Sequence, residues 1–299
     1  MLVDGASAIA RKMKISGLVV GLTVVAFGTS APELLVNIVA GLNGSADLAI
    51  GNVIGSNISN ILLILGVAGL ISPLAIGKGT VWKEIPFALL GVGILFVMAN
   101  DNLIEGVGFS EITRSDGIVL LGFFAIFMYY TYGISRVQGE KDADKPPLMK
   151  TSKAVIYILL GALGLGFGSD WVVNGAIRVA TVFGLSESLI GLTIVAIGTS
   201  LPELVTAAVA AYKKQADIAI GNVVGSNIFN IFFVLGISST ITPITFSPIL
   251  NIDIAICAAA TIILMLAVFI GRKHQVERWQ SAFFVSLYIG YIVYLVMRG

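Results

Sequence analysis

Residues 26–35 read AFGTSAPELL and residues 196–205 read AIGTSLPELV. Each stretch lies inside a long apolar run, yet each places a glutamate beside a proline, where a membrane helix ordinarily carries neither. A proline within a helix removes one N–H and clashes with the carbonyl four residues back. Pro32 therefore frees the carbonyl of Gly28, and Pro202 that of Gly198. Broken helices are tolerated in hydrocarbon only where the freed groups face protein, water or a ligand. A charge at membrane depth adds a cost of about 2.5–3.5 kcal/mol even on the lenient insertion scale.

Working outward from the two stretches, residues 1–73 align with residues 171–243 without a gap, and 35 of the 73 positions are identical. Agreement of this kind marks an internal repeat. Apolar runs suggest spans near 17–41, 48–71, 84–100, 115–133, 153–181, 187–211, 218–240, 249–270 and 280–297. VDGASAIA at 3–10 aligns with VNGAIRVA at 173–180, the last turns of span 153–181. By that alignment the chain reads as starting part-way into its first helix, about 17 residues short.

Composition agrees with a polytopic membrane protein: 57% of residues are hydrophobic and 12% charged, against about 25% charged in soluble proteins. No soluble domain fits between the spans, and no cleavable signal peptide is evident at the N-terminus. Cys257 is the single cysteine, so neither an intramolecular disulfide nor a cysteine metal site can form. Of the 18 Lys and Arg, only Arg114, Arg178 and Arg298 fall on one side of the spans. The other side holds the rest, including Arg11, Lys12, Lys14, Lys78, Lys83, Lys213 and Lys214, and reads as the cytoplasm. Both termini then lie outside.

The halves must be inverted. RKMK at 11–14 aligns with TVFG at 181–184, and NG at 43–44 aligns with KK at 213–214, so matching loops have opposite charge character. An odd number of spans per half requires the same. The expectation is an all-α membrane protein of two inverted-topology repeats of five transmembrane helices each, the first helix truncated at the N-terminus. The repeats cover 1–136 and 151–299, joined by a cytoplasmic linker at 137–150. Inverted repeats with matching Gly/Pro-interrupted helices place a site at the repeat interface near the midplane.

Thr29, Ser30 and Glu33, with Thr199, Ser200 and Glu203, add hydroxyl and carboxylate oxygens to the freed carbonyls, a donor set that suits hard cations such as Ca²⁺ and Na⁺. Two facing carboxylates give a charge of minus two, which one Ca²⁺ neutralises. The next span of each half carries GNVIGSNISN (51–60) and GNVVGSNIFN (221–230). Ser56 with Asn60, and Ser226 with Asn230, are four residues apart and share a helical face, with Asn52 and Asn222 one turn back. Single glycines, serines and threonines in such helices usually serve packing, Asn57 and Asn227 read as interhelical hydrogen-bonding residues, and Asp47 and Asp217 as helix caps. His274 reads as a solvated loop residue, and Trp82, Trp171 and Trp279 as an interfacial belt.

With GTSAPE and GTSLPE each followed by GN-V-GSN--N, the chain resembles the cation/calcium exchanger superfamily, and within it the prokaryotic sodium/calcium exchangers. The resemblance spans essentially the whole chain. It implies antiport of Ca²⁺ against Na⁺ by alternating access, with the first and sixth helices sliding across the rest, in a prokaryotic cell membrane. It implies Ca²⁺ between Glu33 and Glu203 with backbone oxygens of Thr29 and Thr199. It implies Na⁺ at the carbonyls of Ala26 and Ala196 and at Ser30, Ser200, Ser56, Ser226, Asn60 and Asn230. Several sodium/calcium exchangers carry Asp where this chain has Asn230. The implied partners are inorganic cations and the lipid bilayer, with no cofactor, no nucleic acid and no enzymatic reaction; oligomeric state stays open.

A proton/Ca²⁺ antiporter on the same fold remains the alternative, since two carboxylates could release two protons for each Ca²⁺. A channel would more naturally show a ring of identical subunits. An intramembrane hydrolase lacks a histidine within a span and a nucleophile paired with a base.

Overall fold

The computed structural model describes residues 1–137, 149–182, 196–272 and 274–298. Helices follow the apolar runs. The first half contains α1 (Leu2–Met13), α2 (Gly17–Thr29), α3 (Ala31–Leu42), α4 (Ala46–Ile71), α5 (Thr80–Met98), the short α6 (Asp101–Glu105) and α7 (Arg114–Val137). The second contains α8 (Thr151–Val182), α9 (Ala196–Thr199), α10 (Leu201–Tyr212), α11 (Ala216–Ile241), α12 (Pro248–Ala267) and α13 (Arg278–Arg298). Among the described residues seven helices are long and apolar enough to cross a membrane, and α2 with α3 makes an eighth as a bent pair. The first part of the expected span 187–211 and most of the expected linker lie outside the described residues.

Which helices form the centre follows from their polar content. In α4, 78% of the apolar span is buried, and in α11, 94%. These two carry the paired GN and GSN motifs, whose amides and hydroxyls find partners only inside protein. By contrast only 11% of the apolar span Thr151–Trp171 within α8 is buried, and α8 packs along α1, with Gly5 against Ala154 and Ile158 and Gly161 against Leu2. Both central helices widen into a π-helical turn beside the motif asparagine, over Asn60–Ile64 in α4 and Phe229–Leu235 in α11. Such turns often accompany functional sites.

Two short ribbons join the halves. Strand β1 (Leu74–Ala75) pairs antiparallel with β4 (Gln275–Val276), and β2 (Glu111–Ile112) with β3 (Ile244–Thr245). The repeat relation carries β1 onto β3 and β2 onto β4, so it exchanges one ribbon for the other. That is what a pseudo-two-fold between inverted halves requires. The same exchange relates Arg114, donating to the carbonyl of Ile241, and Arg278, donating to that of Ile71, both at 3.4 Å.

Two expectations change in detail. The cap positions of α4 and α11 are Ser45 and Gln215. Asp47 and Asp217 sit two residues further on, in the first turn, where the helix dipole favours a carboxylate. His274 is half-buried rather than solvated: it adopts φ 59°, its N–H donates to Val268, and its carbonyl accepts from Ile76. Lys214 ends α10 in the same left-handed region, φ 56°, where the first half uses Gly44, φ 73°. A left-handed non-glycine costs roughly 1–2 kcal/mol, so a cation at this face is kept against backbone preference.

α2 crosses α11 at Gly21 and Gly221, where a Cβ on Gly221 would stand 2.7 Å from the carbonyl oxygen of Leu18 and 3.0 Å from Cα of Gly21. Overpacking of this kind costs about 1–3 kcal/mol. Gly221→Ala should therefore lower the thermal midpoint in detergent by roughly 3–10 °C. Gly164→Ala, whose Cβ meets nothing within 4 Å, should leave it unchanged in the same melt.

Candidate ion-binding site

The two GTS-PE stretches fold as half-helices. α2 ends at Thr29, Ser30 leaves the helix at φ −84°, ψ 6°, and α3 starts at Ala31 with a 45° bend. Ser200 does the same between α9 and α10, at φ −83°, ψ 2°. Pro32 and Pro202 each occupy the first turn of the following helix, where a missing N–H does no harm. Glu33 and Glu203 follow in that first turn, so each carboxylate lies against a helix N-terminus, which favours its charge.

Both glutamates are buried. Ser30 Oγ, at the first break, donates to Glu203 Oε1 at 3.1 Å, and Ser226 Oγ, on α11, donates to the same oxygen at 3.3 Å. Thr29 Oγ1 lies 3.1 Å from Oδ1 of Asn222, and Thr199 Oγ1 lies 3.1 Å from Oδ1 of Asn52. These crossed pairs tie each break to the central helix of the other half. Beside them Asn60 Nδ2 donates to Asn227 Oδ1 at 2.9 Å and Asn230 Nδ2 to Asn57 Oδ1 at 3.1 Å. Asn57 and Asn227 also donate to one another's backbone carbonyls.

These bonds use the amide nitrogens of Asn60 and Asn230 and leave their oxygens. Among the described residues, the buried oxygens with no hydrogen-bond partner include both of Glu33, Ser56 Oγ, Asn60 Oδ1, Ser200 Oγ, Glu203 Oε2 and Asn230 Oδ1. Buried polar atoms are ordinarily satisfied, and an exception points to a missing water or ion. Gathered around two carboxylates, these atoms form an oxygen-only donor set of the kind hard cations take. No group of three or more His, Cys, Asp or Glu occurs among the described residues, so the charge available here is set by the two glutamates.

Two freed or expected carbonyls are already engaged. Ser169 of α8 donates its hydroxyl to Gly198 O, so the group that Pro202 frees is partly satisfied by a serine that the sequence reading did not single out. Ala26 O accepts from Ser30 N at 2.9 Å and from Thr29 Oγ1 at 3.3 Å. The halves also differ: Ser226 binds Glu203, whereas its counterpart Ser56 binds nothing. Two further buried acids, Glu84 and Asp253, escaped the sequence reading, and both lie apart from the cluster. Glu84 accepts from the hydroxyl of Tyr130. Asp253 accepts from Tyr291 at 2.9 Å and pairs with Arg298 at 2.8 Å.

The family model described as sodium/calcium exchanger protein matches residues 1–133 and 153–297. The sodium/calcium exchanger MaX1 of Methanosarcina acetivorans is 30% identical over 98% of this chain and 93% of its own length. Inner membrane protein YrbG of Escherichia coli is 36% identical over 99% of this chain and 90% of its own. A solved structure of the sodium-calcium exchanger NCX_Mj, soaked with 2.5 mM Na⁺ and 0.1 mM Ca²⁺, superposes with a TM-score of 0.80 at 33% identity, covering 98% of this chain and 91% of that one.

The reciprocal asparagine pair offers a direct measurement. Asn57→Ala and Asn227→Ala should each destabilise the protein, and the double variant should lose less than the sum. Interhelical hydrogen bonds in membranes couple by about 0.6–1.7 kcal/mol, and a double-mutant cycle on detergent unfolding should return a value in that range.

Proposed function

The chain belongs to the sodium/calcium exchanger family, and from that membership we propose that it moves Ca²⁺ in one direction against Na⁺ in the other by alternating access. The observation that carries this reading is the oxygen cluster around Glu33 and Glu203, built by two inverted broken helices. Ca²⁺ binds between the two carboxylates with backbone oxygens of Thr29 and Thr199. Na⁺ takes neutral oxygens from Ser30, Ser56, Ser200, Ser226, Asn60 and Asn230 and the carbonyls of Ala26 and Ala196. The carbonyl of Ala26 must then give up a hydrogen bond within its own turn when Na⁺ binds.

The number of neutral oxygens favours Na⁺ over protons as the counter-ion. Two carboxylates alone would suffice for two protons, whereas Na⁺ needs several oxygen ligands in place of its water. The unpartnered hydroxyl and amide oxygens of Ser56, Ser200, Asn60 and Asn230 supply that need. The peripheral pair α1 and α8 slides across the remaining helices, which their close glycine packing and the lipid-exposed surface of α8 permit. The lysine-rich face is the cytoplasm, both termini lie outside, and the membrane is that of a prokaryotic cell.

Removing one partner from a buried charged assembly costs about 3–5 kcal/mol, two orders of magnitude or more in affinity. Glu33→Gln and Glu203→Gln, nearly isosteric, should fold and lose isotopic Ca²⁺ uptake by roughly 100-fold or more. Uptake near the parent rate in either variant would remove the proposed site.

Liposomes loaded with Na⁺ at equal pH should accumulate Ca²⁺, and liposomes with a proton gradient and no Na⁺ should not. The reverse pattern selects the proton antiporter. If three Na⁺ exchange for one Ca²⁺, each cycle carries one net charge and an imposed membrane potential should change the initial rate, whereas exchange of two Na⁺ should be indifferent to it.

A further inference from the structure

Beyond the glutamates, the inner faces of the two half-helices stay polar. α3 buries Glu33, Asn37 and Ala40, and α10 buries Glu203, Thr206 and Ala207. Asn37 is 0% exposed, and its Nδ2 donates to the carbonyl of Glu33 at 3.1 Å. Only the nitrogen can donate to a carbonyl, so this bond turns Oδ1 away from the helix backbone. Oδ1 has no partner, and neither does the buried hydroxyl of Thr206. Thr23, Thr131, Thr240 and Thr261 return their hydroxyls to the carbonyl four residues back, while Thr80, at the first position of α5, is unpartnered like Thr206. Thr206 does not return its hydroxyl in this way, which leaves its oxygen open to another ligand.

The repeat relation separates these residues from the shared fold. Asn37 aligns with Ala207, and Thr206 aligns with Val36. Each half has thus placed its own oxygen at its own position, one helical turn, about 5–6 Å, beyond its glutamate. Because the halves are inverted, one position leads toward the face where α3 ends and the other toward the face where α10 ends.

We propose that Asn37 Oδ1 and Thr206 Oγ1 are relay ligands for the transported cation, one in each access path. Each replaces a water of a partly hydrated Na⁺ or Ca²⁺ on its own side and passes the ion to Glu33 or Glu203, an inference that rests on those glutamates binding the ion. Ca²⁺ holds 6–8 oxygens in its shell, so it reaches the carboxylates only by exchanging water stepwise, and a neutral oxygen one turn away supplies an intermediate partner.

The test uses accessibility from the two faces. With the single native thiol removed by Cys257→Ala, Asn37→Cys and Thr206→Cys are reconstituted in liposomes and exposed to a membrane-impermeant cationic methanethiosulfonate from one face at a time. The expected result is modification of Asn37→Cys only from the face where α3 ends and of Thr206→Cys only from the opposite face. Added Ca²⁺ should slow each, and an anionic reagent of equal size should react at least about tenfold more slowly, given two nearby carboxylates. Absence of modification, modification of both from one face, or rates indifferent to Ca²⁺ would each overturn the relay and leave these residues as packing.

Thr206→Cys is nearly isosteric and decides the matter if Asn37→Cys fails to fold. In the same liposomes Asn37→Ala should cut Ca²⁺ uptake about fivefold, with Asn37→Ser recovering most of it. Persistence of uptake in Glu33→Gln would instead remove the underlying site, so the two failures are read from different proteins.

Discussion

Two carboxylates cannot rest side by side in hydrocarbon without something to offset them, and the architecture follows from that constraint. Glu33 and Glu203 must be buried by protein rather than lipid, which requires α4 and α11, the helices that carry the motif amides and hydroxyls, to occupy the centre. Each carboxylate must also meet favourable dipoles. The proline breaks supply these by ending one helix and starting another within a single residue, so that an N-terminus lies against each acid and carbonyls are released nearby. The hydroxyls of Thr29 and Thr199, against the amides of Asn222 and Asn52, then hold each break to the central helix of the other half. None of these features is stable alone, because a half-helix end without its partner leaves unpaired backbone in an apolar medium.

The halves are related but not equal, and the inequality concerns the acids. Glu203 receives Ser30 and Ser226, while Glu33 receives neither counterpart. One carboxylate is therefore held in place by two serine hydroxyls, and no serine holds the other. Neutral Asn60 and Asn230 present their oxygens beside both, because Asn57 and Asn227 occupy their nitrogens.

Much of this was legible in the chain. The repeat could be read because the two halves retain identity at the very positions that build the centre, and the spans because hydrocarbon demands long apolar runs. Glu33 and Glu203 were legible because their placement is costly without a purpose. What escaped depends on neighbours distant in sequence. Ser169 acquires meaning only where α8 passes the carbonyl of Gly198, and Glu84 only where Tyr130 reaches it. Asp253 depends likewise on Tyr291 and Arg298. Asn37 could have been found from its spacing of four residues from Glu33, yet one polar residue in a helix is weak evidence until its oxygen is seen to lack a partner. The ribbon strands, two residues each, are too short for any alternation to register.

Those ribbons have a mechanical consequence. β1 with β4 fastens the α4–α5 corner of one half to the α12–α13 corner of the other at one end of the bundle. β2 with β3 fastens the entry to α7 to the exit from α11 at the opposite end. Cross-linked at both ends, these six helices behave as a frame in which neither half can tilt against the other without breaking backbone pairing. The broken helices are held to this frame by the Thr29–Asn222 and Thr199–Asn52 pairs, so α1 and α8, which no ribbon fastens, are the helices outside it. A load applied to this molecule would therefore shear it along the face of the frame before it opened the frame as a hinge.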